Sequence, residues 1–252
     1  MVGTGDAIML NAFIITGPDS RWVIVRGLGP SLPTPSPLQD PALEWRASGT
    51  LIAMNDNWRS DQEAEIIATG IPPTNDLEAA IVETLGPGSY TVVLRSHNGG
   101  TGRGVNDLHD LFPSTSSGLT AVGTRANVLT GDDALMSGIV IQQSGDLLLR
   151  VLGPSLAEAG VANILADPTL ELRDGNGALL ISNDNWRDDP VQEALILATG
   201  IPPTNNLEAA LVANLPPGSY TGVARGKNNT TGIGYVQFYS LPHSGPVLQL
   251  TP

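Results

Sequence analysis

The chain has 252 residues, no cysteine, and 25 acidic against 12 basic side chains, giving a formal net charge of −13. The missing cysteines remove thiolate catalysis and Cys-type zinc sites, and the acidic balance argues against nucleic acid or an anionic membrane surface as partner. No apolar run reaches the roughly 18 residues of a membrane-spanning helix, so membrane insertion is not expected, and no signal-peptide pattern opens the chain.

The 29 glycines and 20 prolines lie between short apolar runs, the mark of many strands joined by tight turns. Segments 7–16 and 22–28 predict two strands around Gly17-Pro18-Asp19-Ser20, the second apolar enough to be covered on both faces. Segments 43–46 and 50–54 predict a hairpin. Its later counterpart turns through Asp174-Gly175-Asn176-Gly177, residues that tolerate positive φ. Segment 61–69 has helical spacing at Ala64, Ile67 and Ala68, early acidic residues and a stop at Gly70. A second hairpin is expected from 77–85 and 89–95, then strands at 105–111 and 119–122.

From there the pattern starts again. Ala68-Thr-Gly-Ile-Pro-Pro-Thr-Asn-Asp-Leu-Glu-Ala-Ala80 returns at 198–210 with one change, Asp76 to Asn206. Asn55-Asp56-Asn57-Trp58-Arg59 returns as Asn183-Asp184-Asn185-Trp186-Arg187, Pro87-Gly88-Ser89-Tyr90-Thr91 as Pro217-Gly218-Ser219-Tyr220-Thr221, and Gly29-Pro30-Ser31-Leu32 as Gly153-Pro154-Ser155-Leu156. Offsets of 124 to 130 are the size of a whole domain rather than of a solenoid repeat. The expected fold is all-β: two tandem jelly-roll-like β-sandwich domains, each with one short helix. Repeat one covers 1–117, repeat two covers 118–243, and 244–252 is a C-terminal strand open to donation to a neighbouring chain.

The candidate sites each carry two readings. Asn55, Asp56 and Asn57, with Asn183, Asp184 and Asn185, alternate oxygen ligands as a calcium site would; the same run also ends a strand with Asx turns. No other cofactor is expected. Glu78 and Glu208 either do acid–base work, with Asp56 as partner, or are buried carboxylates bonded to loop amides. Trp22 and Trp45, unique to the first copy, form either a sugar-stacking platform or part of the core. The histidines do not recur: His97 aligns with Lys227 and His109 with Tyr239. Gly99-Gly-Thr-Gly-Arg-Gly104 opens no helix and reads as a loop rather than a phosphate cradle.

The order Asp167-Pro-Thr-Leu-Glu-Leu-Arg-Asp-Gly-Asn-Gly177, Asn183-Asp-Asn-Trp186, Leu215-Pro-Pro-Gly-Ser-Tyr-Thr221 and Val236-Gln-Phe-Tyr-Ser-Leu241 resembles a repeat of large bacterial secreted and surface proteins. Its latter half is also similar to the pre-peptidase C-terminal domains of secreted bacterial enzymes. The resemblance implies an exported β-sandwich module, extracellular or at the cell surface, used for assembly or attachment and without catalysis.

The ends of the repeat are out of phase. Met1 to Asp6 align with the segment ending at Asp132, so the strand at 118–124 has no counterpart ahead of copy one in this sequence. Val247, Leu248, Gln249 and Leu250 lie where that strand would follow copy two. Donation of 247–250 to repeat one of the next molecule predicts head-to-tail self-association into a filament or surface layer. The alternatives are a carbohydrate-binding or adhesive module taking polysaccharide at Trp22 and Trp45, or an accessory domain of a secreted hydrolase.

Overall fold

The structure is a computed structural model that describes residues 1–111 and 117–241. The 247–250 segment and the rest of 244–252 lie outside the described residues. The chain divides into two compact units, Met1–Val122 and Gly123–Pro252.

Unit one contains β1 (Met9–Thr16), β2 (Arg21–Leu28), β3 (Pro41–Ala47), β4 (Thr50–Asn55), α1 (Glu63–Ala68), β5 (Ala79–Leu85), β6 (Gly88–Ser96), β7 (Val105–Asp110) and the opening part of β8 (Gly118–Val128). The rest of β8 leads into unit two, with β9 (Leu135–Ile141), β10 (Gly145–Leu152), β11 (Pro168–Asp174), β12 (Leu179–Asn183), α2 (Pro190–Ala198), β13 (Ala209–Leu215), β14 (Gly218–Gly226) and β15 (Gly232–Leu241). Each unit is a two-sheet antiparallel sandwich. In unit one, β4-β3-β6-β1 forms one sheet, followed past β1 by the opening part of β8, and β5-β2-β7 forms the other. In unit two the sheets are β12-β11-β14-β9 and β13-β10-β15, the latter followed past β15 by the later part of β8. The sequence places the repeat boundary at 117/118. The compact units meet at 122/123, inside β8, because 118–128 is one unbroken strand.

The alternation along the strands builds the core. On β3, Leu43 and Trp45 turn inward, and Trp45 meets Phe13 of β1 edge-on at 6.0 Å between ring centroids. β2 is buried on both faces. Its outer face joins Ile24 to Trp58, Ile66 of α1, Ala80 and Val82; in unit two Leu148, Trp186, Ile196 of α2, Ala210 and Val212 repeat the cluster. The helix therefore roofs the second sheet, and the Trp of the repeated Asn-Trp-Arg run is its central plug. An Arg lies over each ring, Arg59 at 4.0 Å and Arg187 at 4.1 Å from the centroid. The repeated Pro-Gly-Ser-Tyr run has a local cause as well: Tyr90 and Tyr220 donate their hydroxyls to the carbonyls of Gly86 and Pro216, tying down each hairpin turn.

Candidate functional site

The most strongly repeated segment is a latch. Thr69 closes the end of α1 by donating its hydroxyl to the Ile66 carbonyl and accepting the Ile71 N–H. Gly70 then takes φ +78°, where a Cβ would be strained. Asn75 makes an Asx turn with the Leu77 N–H, and the chain arrives at Glu78, which is 0% exposed. Glu78 Oε1 accepts the N–H groups of Gly29 (2.9 Å) and Ser31 (3.1 Å) and the Ser31 hydroxyl (2.6 Å). Glu208 Oε1 does the same with Gly153 (3.0 Å), Ser155 N–H (2.9 Å) and the Ser155 hydroxyl (2.5 Å). Gly29 and Gly153 are required there, since a Cβ would lie 2.0 and 2.1 Å from the carbonyl oxygens of Leu38 and Leu165. Each carboxylate is saturated by loop donors, so the acid–base reading with Asp56 is corrected to the buried, amide-bonded one.

The Asn-Asp-Asn runs serve the same junction. Asn55 accepts the Ala80 N–H and donates to the Asn57 carbonyl; Asn183 accepts from Ala210 and donates to the Asn185 carbonyl. The middle aspartates each meet a basic side chain of the protein itself. Asp56 meets His97 Nδ1 at 2.9 Å, and Asp184 meets Lys227 Nζ at 2.6 Å, with Asp167 3.8 Å from the same ammonium. The bond to Asp184 raises the pKa of Lys227, so the ammonium stays charged throughout the neutral range. In unit two Asp167 Oδ1, Asp184 Oδ1 and Asn185 Oδ1 are buried acceptors without a donor among the described residues. Among the described residues no three His, Cys, Asp or Glu side chains converge on a metal position, and calcium at Asp184 would compete with Lys227. The alignment of His97 with Lys227 was the sequence signal for this role, since it places a basic residue opposite the run in both copies.

The sugar-stacking reading is corrected. Trp45 is 0% exposed in the core on β3, and Trp22 is half-buried on β2, packed against the Trp58 cluster. The two rings belong to different sheets and make no shared platform. His109 belongs to a cluster in unit one, where Arg26 binds Asp107 through Nε (3.0 Å) and Nη2 (2.5 Å). Burial works to raise the Asp107 carboxyl, but the bonds from His109 and Arg26 outweigh it and hold it below the ordinary value. Unit two has Gln237 there, accepting from Arg150 at 2.6 Å. A depressed carboxylate contributes stability that is present above its unfolded pKa, about 3.9 for Asp, and is lost as pH falls through the folded value. Asp107→Gln, which installs the unit-two residue, is therefore expected to flatten the fall of melting temperature between about pH 4 and pH 2. An unchanged acid slope would show that the pair contributes nothing.

What differs between the units is edge cover. The outer edges of β5 and β13 are closed by side chains that mimic a strand. Gln62 accepts the Val82 N–H and donates to the Val82 carbonyl, and Gln192 does the same with Val212. Asn55 and Asn183 cap one more amide each. β15 is covered by the later part of β8, whereas its counterpart β7 ends its sheet among the described residues, with isolated bridges from Val2 to Gly102 and from Pro37 to Arg103 ahead of it. Conversely β1 is covered by the opening part of β8, whereas its counterpart β9 ends its sheet among the described residues. The sequence reading expected a missing counterpart of 118–124 at repeat one from the phase of the repeat, and it expected nothing at β9, because it took 119–122 and the strand opening copy two as separate pieces.

No protein-family model matches the chain, and neither does any curated protein. Among solved structures the chain is similar to the major capsid protein P2 of bacteriophage PM2, with 10% identity, 96% of this chain and 94% of that chain covered, and a TM-score of 0.26. It is also similar to the STIV MCP (13%, 93% and 88%, TM-score 0.28) and to PNGF-II (9%, 96% and 63%, TM-score 0.26). Likeness at this level carries no functional argument. The functional reading rests on the chain's own packing and sheet edges.

Proposed function

We propose that the chain is a non-catalytic structural protein of an extracellular or cell-surface assembly, its sandwich units joined head to tail by strand addition. One observation carries the reading: β7 ends a three-strand sheet where β15, its counterpart, has the later part of β8 beside it. An uncovered edge accepts an extended segment through its free backbone groups. Exposure agrees with a missing neighbour, since Val105 is exposed and Leu108 half-buried where Tyr235 is half-buried and Phe238 fully buried. The donor is 247–250 of a second copy, with Val247, Leu248 and Leu250 as its apolar side chains. A contact from the tail of one molecule to the first unit of the next is heterologous and propagates an open filament unless its rotation closes a ring.

Magnitudes limit what the strand does alone. Burying each aliphatic side chain contributes about 1.5–3 kcal/mol, and each ladder hydrogen bond about 0.5–1.5 kcal/mol. Ordering the segment costs roughly 1–2 kcal/mol per residue. The strand is marginal by itself, and a durable polymer adds surface between units. Full-length protein is expected to show a ladder of sizes by light scattering and electron microscopy as concentration rises. A chain ending at Leu241 is expected to stay monomeric. Identical size distributions for the two would reject strand donation.

A further inference from the structure

In unit one a cleft of about 240 Å³ opens between residues 3–5, ahead of β1, and the loop that leaves β6 at 97–100, with Ile8 and Arg95 on its walls. It is smaller than the roughly 300–1,000 Å³ of a drug-sized site, so it has room for one compact group. Unit two builds the corresponding place differently. Gly3, Gly99 and Gly100 correspond to Leu129, Asn229 and Thr230, so unit one lacks a side chain at each position where unit two carries one. The backbone does not demand glycine at 99, since Asn229 holds φ +60° where Gly99 has +78°. Arg225 donates through Nη1 to the Gly131 carbonyl at 2.6 Å, which ties it to the turn that corresponds to 3–5. Its counterpart Arg95 is drawn to Glu44 instead, which accepts from Nε at 2.9 Å. The bare walls and the redirected guanidinium thus occur together.

The polar groups of the cleft have defined vacancies for a partner. Glu44 takes Nε of Arg95, so the nitrogens left for a ligand are the two Nη groups, whose parallel N–H bonds match a carboxylate. Glu44 is shared by Arg95 and Arg46, so two guanidiniums face one carboxylate and a positive charge is left over. Asp56 meets His97 at Nδ1. The neutral imidazole therefore carries its proton on that side, and Nε2 remains as an acceptor for a hydroxyl. Ile8, where unit two has Ala134, supplies an apolar wall.

We propose that this cleft binds a hydroxy-carboxylate of sugar size, a uronic acid residue. Its carboxylate lies on the Nη pair of Arg95, a hydroxyl donates to His97 Nε2, and a C–H face of the ring rests on Ile8. The glycines at 3, 99 and 100 let the ring come up to the backbone. The net charge of −13 repels a long polyanion at a distance, so the ligand is a single residue, either free or at the end of a chain. The site belongs to unit one alone and is independent of strand addition.

Titration of the nitrogen-15-labelled chain with galacturonate tests the site. The amide signals of Gly99 and Gly100 are expected to shift with galacturonate and to stay in place with galactose, which has the hydroxyls without the carboxylate. Arg95→Gln is expected to weaken binding roughly tenfold or more, the loss of a charged hydrogen-bond pair, whereas Arg225→Gln should leave it unchanged. Glu44 keeps Arg46 in the Arg95 variant, and its melting temperature checks that the unit stays folded. Gly99→Asn, which installs the unit-two residue at a φ that Asn229 already adopts, should also weaken binding by filling the cleft. Digalacturonate binding as well as the monomer makes a chain end the source, and binding of the monomer alone makes it a free sugar acid; both carry the site. No shift with galacturonate, equal shifts with galactose, or unchanged affinity in both the Arg95 and Gly99 variants would overturn the proposal.

Discussion

Glu78→Ala is expected to lower the stability of unit one by roughly 3–6 kcal/mol, and Glu208→Ala to do the same in unit two. The carboxylate is fully buried and one oxygen accepts two backbone N–H groups and a hydroxyl. Deleting it leaves those donors without an acceptor at about 1–3 kcal/mol each, in a loop where Gly29 packs directly against the Leu38 backbone. Glu78→Gln separates this from simple loss of packing. Its carbonyl oxygen can still take the three donors, and its amide would face only the long contact from the Asn75 N–H at 3.4 Å. The Gln variant should therefore lose clearly less than the Ala variant in urea unfolding followed by hydrogen exchange, which resolves the two units. Equal losses would show that the donors are satisfied otherwise and that the latch is not what holds the loop.

Trp58→Ala and Trp186→Ala are each expected to cost about 3–5 kcal/mol, the range for emptying a large aromatic site. Both rings plug the space between the second sheet and the helix that roofs it, so the loss should appear as early melting of α1 or α2 together with its sheet. The two sites differ in one respect. Trp186 Nε1 donates to the Asn205 carbonyl at 3.1 Å, whereas Trp58 Nε1 has no acceptor among the described residues. Trp186→Phe should accordingly lose about 1 kcal/mol more than Trp58→Phe. Calorimetry of the four variants checks both statements. Unchanged melting in the Ala variants would overturn the core assignment.

Those parts of the protein whose cause is local were legible in its sequence. The duplicated unit, the strand-and-turn character and the short helix ending at Gly70 follow from residue spacing and turn chemistry, which act within a few residues. The burial of Trp58 and Trp186 and the bonding of Glu78 and Glu208 to loop amides were also legible, because apolar neighbours and repeated glycines surround them in both copies. The partner of each repeated polar group emerged only from the packed chain. Asp56 with His97 and Asp184 with Lys227 are joined across some forty residues, and no local pattern fixes which side chain an aspartate meets. Trp45 could be assigned to the core only once β3 lay between β4 and β6 with Phe13 against the ring. The same holds for the edges. Whether a strand is covered depends on pairing between distant segments, and pairing is settled by which neighbours close the sheets. One unbroken strand, β8, covers β1 by its opening residues and β15 by its later ones, whereas β9 and β7 each end their sheet among the described residues.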